Sequence, residues 1–187
     1  MLPRLRSRKA RAAKMNKRSK IIVVKYVVYS VIMLMLYVAQ TTPGFLSIRG
    51  IRPILVLPFA VCVAMFDSNL AGGLFGLFAG ILCDTSSSLL FGVQAILYLA
   101  VCVAVGLLIV YYMQPSLANS LIFVGCGLIL RLFLEFFFAF FMWGYDNIHI
   151  IVVNHMLPLL LYTLAATIPV FWLVRKLHGF FEEQISR

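Results

Sequence analysis

From residue 21 to residue 174 the chain is a succession of apolar runs separated by short polar breaks, and this pattern restricts its fold more than any motif does. A lipid interior offers no water to backbone N–H and C=O groups, so each run satisfies its own peptides by coiling into a helix. Hydropathy places helices at 21–39, 53–66, 70–83, 89–113, 117–142 and 150–174. Composition agrees, since 63% of the residues are hydrophobic, against roughly 45–50% in soluble domains. The chain therefore reads as an all-α polytopic membrane protein with about six transmembrane helices, two of them short.

The short ones are 53–66 and 70–83, fourteen residues each, or about 21 Å of helix against a hydrocarbon core of about 30 Å. Either they cross where the protein is thin or tilted partners cover their ends, or they form a re-entrant hairpin with Asp67, Ser68 and Asn69 at its tip. Both arrangements leave the two termini on one side of the membrane.

The net charge of +10 raises the question of nucleic acid, which the position of the charge answers. Nine basic residues and no acidic one precede Ile21, whereas 21–174 holds four of each sign. A Lys/Arg-rich segment before a first span is a topology signal that keeps it in the cytoplasm beside anionic lipid, so no nucleic-acid partner is expected. The expected organisation is a basic, largely unstructured cytoplasmic tail over 1–20, a helical bundle over 21–175 and a short cytoplasmic C-terminal tail over 176–187. The first helix is expected to be an uncleaved span rather than a signal peptide, because its run is long, no Ala-x-Ala site follows it and further spans do. Arg49 and Arg52 fall on the outer side, against the rule. A short amphipathic segment over 45–53 would lay them at the outer interface, on lipid phosphates or a partner. Tyr26, Tyr37, Tyr111, Tyr112, Trp143, Tyr145 and Trp172 mark the membrane boundaries.

No catalytic or metal motif stands out. Cys62, Cys83, Cys102 and Cys126 are scattered through apolar helices with no Cys-x-x-Cys pair, and His149 and His155 lie six residues apart, on different faces of a helix. A membrane enzyme would have Asp84, Arg131, Glu135 and Asp146 available, without a spacing that assembles them. No cofactor is expected. Polar groups inside the membrane carry the remaining information. Arg131 and Glu135 sit mid-helix, where a charge costs about 2.5–3.5 kcal/mol, so they are expected to turn inward as an i, i+4 pair or to meet a partner helix or substrate. Lys25 is close enough to the boundary to snorkel and is given no role.

Gly72, Gly76 and Gly80 repeat every four residues on one apolar helix, and Asp84 continues the row. The glycines permit close approach of another helix, from within the bundle or from a partner. Asp84 is repelled by the C-terminal end of its own helix dipole, so either it or a following serine is expected to cap the next helix, or Asp84 is to meet another chain at the outer surface. This run, followed by a Ser-rich break, Leu90, Phe91, Gly92 and then Gln94 to Tyr98, resembles the rod shape-determining MreD family, whose pattern is two glycines four apart, an Asp four later, a break, and a Gly opening a long helix. The break here reads Thr-Ser-Ser-Ser where Gly or Pro often stands, and the basic tail is longer than the pattern needs.

The resemblance implies a non-enzymatic protein of the bacterial cytoplasmic membrane within the elongation machinery that guides cell-wall synthesis. It would bind the single-span protein MreC, near MreB, RodA and its transpeptidase. It also implies a fold similar to the substrate-capture S components of energy-coupling factor vitamin transporters, which is the alternative function. Those components usually carry an Ala-x-x-x-Ala dock in the first helix, and 21–39 has a single Ala.

Overall fold

Helix propensity and hydropathy both act along this chain, and they do not stop at the same residues. The computed structural model describes residues 2–42, 52–86, 91–143 and 156–186. These form six helices: α1 Leu2–Thr41, α2 Val56–Phe66, α3 Asn69–Asp84, α4 Val93–Tyr111, α5 Leu117–Trp143 and α6 Leu157–Ser186, with no strand among the described residues. Four of them contain stretches long and apolar enough to cross a membrane, at Arg18–Thr41, Val93–Tyr111, Leu117–Phe138 and Leu157–Ile185. The molecule is thus an all-helical, multi-pass membrane protein with two short helices in addition.

Both ends differ from expectation. The basic segment expected to be unstructured is helical from Leu2 onward and continuous with the first span. Its Arg, Lys, Ala, Leu and Met residues are strong helix formers, and its one proline, Pro3, lies in the first turn where a missing N–H does no harm. Likewise α6 runs through the expected C-terminal tail to Ser186. That extension is packed, with Phe181 buried and Arg18 Nε donating to the Ile185 carbonyl at 3.3 Å. At the other boundaries, α4 starts at Val93 rather than 89, and α2 starts at Val56 rather than 53.

Side-chain bonds fix the course of the chain. Gln40 Oε1 accepts from the N–H of Leu55 at 2.9 Å and Val56 at 3.4 Å, so α2 begins beside the end of α1. It ends where Tyr26 reaches Asp67, and α3 returns until Tyr37 and Thr85 meet at 2.7 Å between hydroxyls. Then α4 descends until Gly106 lies against Asn69, and α6 runs from Thr163, whose Oγ1 takes the Ile54 N–H, down to His178 beside Phe66. The helices alternate up and down. One end of the bundle gathers Lys25, Asp67, Asn69, Tyr111 and His178; the other gathers Gln40, Arg52, Asp84 and Gly92.

This course sets the level of the short pair within the bundle. The α2–α3 tip reaches the level of Lys25, and α1 from Lys25 to Thr41 is only about 24 Å long at 1.5 Å per residue. At the same rise the sixteen residues of α3 match that thickness, whereas the eleven of α2 cover about 16 Å and the non-helical 52–55 precede it at the other level, and the ends of α1 and α6 project past the tip of the pair. The pair also forms the centre: Val56 through Met65 are all buried. A helix that is apolar all round belongs inside, and α2 carries no polar face to present elsewhere. By contrast α1 offers the bundle one stripe, the four-spaced Lys25, Tyr29 and Met33, and leaves Val23, Val27, Val31, Met35 and Val38 exposed.

Candidate functional site

The α3–α4 joint is assembled from the residues that the sequence singled out. Asp84 is 4% exposed, and its carboxylate takes three backbone N–H groups: Gly92 at 2.9 Å and Ala95 at 3.1 Å on Oδ2, and Gln94 at 3.1 Å on Oδ1. The first N–H groups of a helix have no partner within it, and its N-terminus carries the positive end of the dipole, so a carboxylate satisfies both at once. The charge that is unfavourable for α3 is favourable for α4. Gly92 holds φ +98°, a left-handed conformation that side-chain-bearing residues rarely adopt, which turns its N–H back toward Asp84.

The glycine row is filled from inside the molecule. A Cβ on Gly72 would lie 2.6 Å from Ala64 of α2, and one on Gly76 would lie 2.7 Å from the Tyr98 carbonyl oxygen of α4. One on Gly80 would lie 2.5 Å from the Gln94 carbonyl oxygen. Of the two occupants the spacing allowed, a neighbour within the bundle takes the face along its whole length, and no groove for an outside helix is left there.

Arg131 and Glu135 pair on α5 with Nε to Oε1 at 2.8 Å, and Arg131 Nη1 donates to the Tyr98 hydroxyl at 2.8 Å. Tyr98 is fully buried, whereas the two charged side chains are 14% and 28% exposed. Pairing removes most of the cost of two isolated charges in a low dielectric. Arg131→Leu and Glu135→Leu are each expected to lower the yield of folded protein, and the double variant to recover part of it. Arg131→Leu should be the more damaging, since it also removes the guanidinium's bond to the buried Tyr98 hydroxyl. Losses that simply add in the double variant would show that the two charges are not coupled. One turn from Tyr98, Gln94 is 1% exposed, and neither atom of its side-chain amide has a hydrogen-bond partner among the described residues.

Arg52 donates through Nη1 to the Thr41 carbonyl at 3.3 Å, covering the end of α1, where unpaired carbonyls and the negative dipole end favour a cation. Arg49, the segment 45–51, Asp146, His149 and His155 lie outside the described residues. Cys62, Cys83 and Cys102 are free and buried, and Cys126 is free and exposed. No group of three His, Cys, Asp or Glu side chains converges among the described residues.

Lys25 corrects the expectation that it snorkels without a role. It is 3% exposed, and its ammonium lies 3.1 Å from Asp67 Oδ2, 3.4 Å from His178 Nδ1 and 3.9 Å from Glu182 Oε1. Its ammonium also stands 5.8 Å from the centroid of the Tyr29 ring. One ammonium thereby joins α1, the α2–α3 turn and α6. The signal was present: Lys25 shares a helix stripe with Tyr29 and Met33, and an up-and-down course puts Asp67 and Glu182 at the same end.

No protein-family model, curated protein or solved structure matches the chain.

Proposed function

We propose that the protein is an integral scaffold of the bacterial elongation machinery, of the MreD kind, seated in the cytoplasmic membrane with both termini inside. In this role it binds MreC, works near MreB, RodA and its transpeptidase, and helps to control cell shape and guided peptidoglycan synthesis without catalysing a reaction itself. The observation that carries the reading is the α3–α4 joint. The residues on which the family resemblance rests, Gly76, Gly80, Asp84 and Gly92, act as one mechanical unit: two glycines admit the α4 backbone, the carboxylate caps it, and the left-handed glycine aims its N–H at that carboxylate. A pattern of small residues arising from composition alone would have no reason to bring these four together.

Because the glycine face is occupied, a single-span partner has to be met elsewhere. The outer side of α1 offers an open apolar face formed by Val31, Leu34, Met35, Val38, Ala39 and Thr42. Small and β-branched residues at such spacing allow a transmembrane helix to lie close. Mild solubilisation of native membrane is expected to recover MreC with the protein in near-stoichiometric amount, and Val31→Trp with Val38→Trp to lose MreC while leaving the bundle folded. Recovery of a tightly bound vitamin in place of MreC would favour the S-component reading, and MreC retained by the double variant would remove α1 as the contact.

A further inference from the structure

The outward face of α6 carries two cations with no anionic partner among the described residues. Trp172, Leu173, Arg175, Lys176, Gly179 and Phe180 line an open groove of about 790 Å³. Arg175 and Lys176 make no hydrogen bond or ion pair among the described residues, and both are exposed. Trp172 and Phe180 are 58% and 57% exposed on the same side of the helix. The Arg175 guanidinium stands 5.7 Å from the centre of the Trp172 ring, a cation–π contact that favours this position beside the ring. A Cβ on Gly179 would meet nothing within 4 Å, so the groove stays open beside Lys176.

The level of this face fixes its surroundings. His178, three residues on, reaches the Lys25 ammonium at the polar end of the bundle. Arg175 and Lys176 therefore lie within about one helical turn of the polar boundary. Trp172, Leu173 and Pro169 follow beneath them, toward the middle of the membrane. A groove that is cationic and N–H-rich at the boundary and apolar and aromatic below it has the polarity profile of one lipid molecule, with phosphate above and acyl chain below. Glu182 turns away toward Lys25, and Glu183 follows on the same face roughly 10 Å along the axis from Lys176.

We propose that this face of α6 is a binding site for an anionic phospholipid, with Arg175 and Lys176 holding the phosphate and the Trp172–Leu173 surface receiving an acyl chain. A guanidinium fork with an adjacent ammonium suits phosphate oxygens, and the exposed Trp172, about one turn below, suits the depth where headgroup meets chain. The site is independent of the scaffold reading, since it uses neither the α3–α4 joint nor the α1 face.

The chain has two tryptophans, so Trp143→Phe leaves Trp172 as the sole fluorophore. This variant, in vesicles of phosphatidylcholine with a minor share of phosphatidylglycerol, is read by quenching when one lipid or the other carries brominated acyl chains. Brominated phosphatidylglycerol is expected to quench Trp172 as though favoured over phosphatidylcholine by on the order of thirtyfold, which is what two cations at about 1 kcal/mol each supply. Arg175→Gln with Lys176→Gln should bring enrichment to near unity, and Arg175→Lys should keep a part of it. These side chains are exposed, so helicity and monodispersity should not change. Equal quenching by both lipids overturns the proposal. So does enrichment that survives the double variant, which would assign the attraction to the basic part of α1. Displacement by millimolar inorganic phosphate would overturn it too, by showing a site for free anions rather than lipid.

Discussion

A leucine at position 80 is expected to keep α3 and α4 from closing. A Cβ there would stand 2.5 Å from the Gln94 carbonyl oxygen and 2.7 Å from the Ala95 nitrogen, and both atoms belong to backbone, which cannot swing aside as a side-chain tip can. The same stretch donates the Gln94 and Ala95 N–H groups to Asp84, so moving α4 outward also removes its cap. Overpacking of this kind costs about 1–3 kcal/mol and a lost cap about 1 more. At roughly 2–4 °C per kcal/mol for chains of this size, Tm in detergent should fall by on the order of 10 °C. Gly179→Ala is the matched control: that position sits in α6 with nothing within 4 Å of a new Cβ, and replacing an exposed helical glycine should be neutral or stabilising by up to about 1 kcal/mol. A Gly80→Leu protein melting with the parent would mean that the two helices do not touch there.

The spacing of the glycines announced close approach but not to which neighbour, and the reason is geometric. An α-helix has 3.6 residues per turn, so each four-residue step overshoots by about 40° and the row drifts around the helix. Gly72 accordingly faces α2, whereas Gly76 and Gly80 face α4. Among the described residues, six helices, two of them short, were legible, because burial in lipid or core leaves apolar runs in the sequence. The central place of α2 was foreshadowed by its lack of any polar face. The ends of α1 and α6 were not, because hydropathy ceases at the membrane while helix propensity continues in Arg, Lys, Leu and Glu. Asp84 was legible as a cap, since its unfavourable place at the end of α3 required compensation. Lys25 was misjudged for a different reason: snorkelling is argued from one helix alone, whereas its three partners lie 42, 153 and 157 positions away in sequence and meet only through the fold.

Removing Asp67 is expected to destabilise the bundle about as much as overfilling Gly80, and in a way that a second change repairs. The Lys25 and Asp67 side chains are 4% and 12% exposed and 3.1 Å apart, so each would otherwise be a nearly buried, unpaired charge. Breaking such a pair from one side costs about 3–5 kcal/mol, while replacing both members with apolar residues is often neutral. Glu182 stands farther off at 3.9 Å and is 55% exposed, so it can compensate Lys25 only in part, and Glu182→Ala should do little by itself. The expected order of stability is therefore parent, close to Glu182→Ala, then Lys25→Met with Asp67→Leu, and last Asp67→Ala alone. The loss in Asp67→Ala should amount to roughly 10 °C in Tm. Because Lys25 ties α1 to the turn and to α6, the same variant should speed protease cleavage near Arg18, where α1 is otherwise held by its bond to the Ile185 carbonyl. If Asp67→Ala and the double variant melt together, the ammonium has found water without its partner, and the junction of the three elements rests on packing around Tyr29 and Phe66 instead.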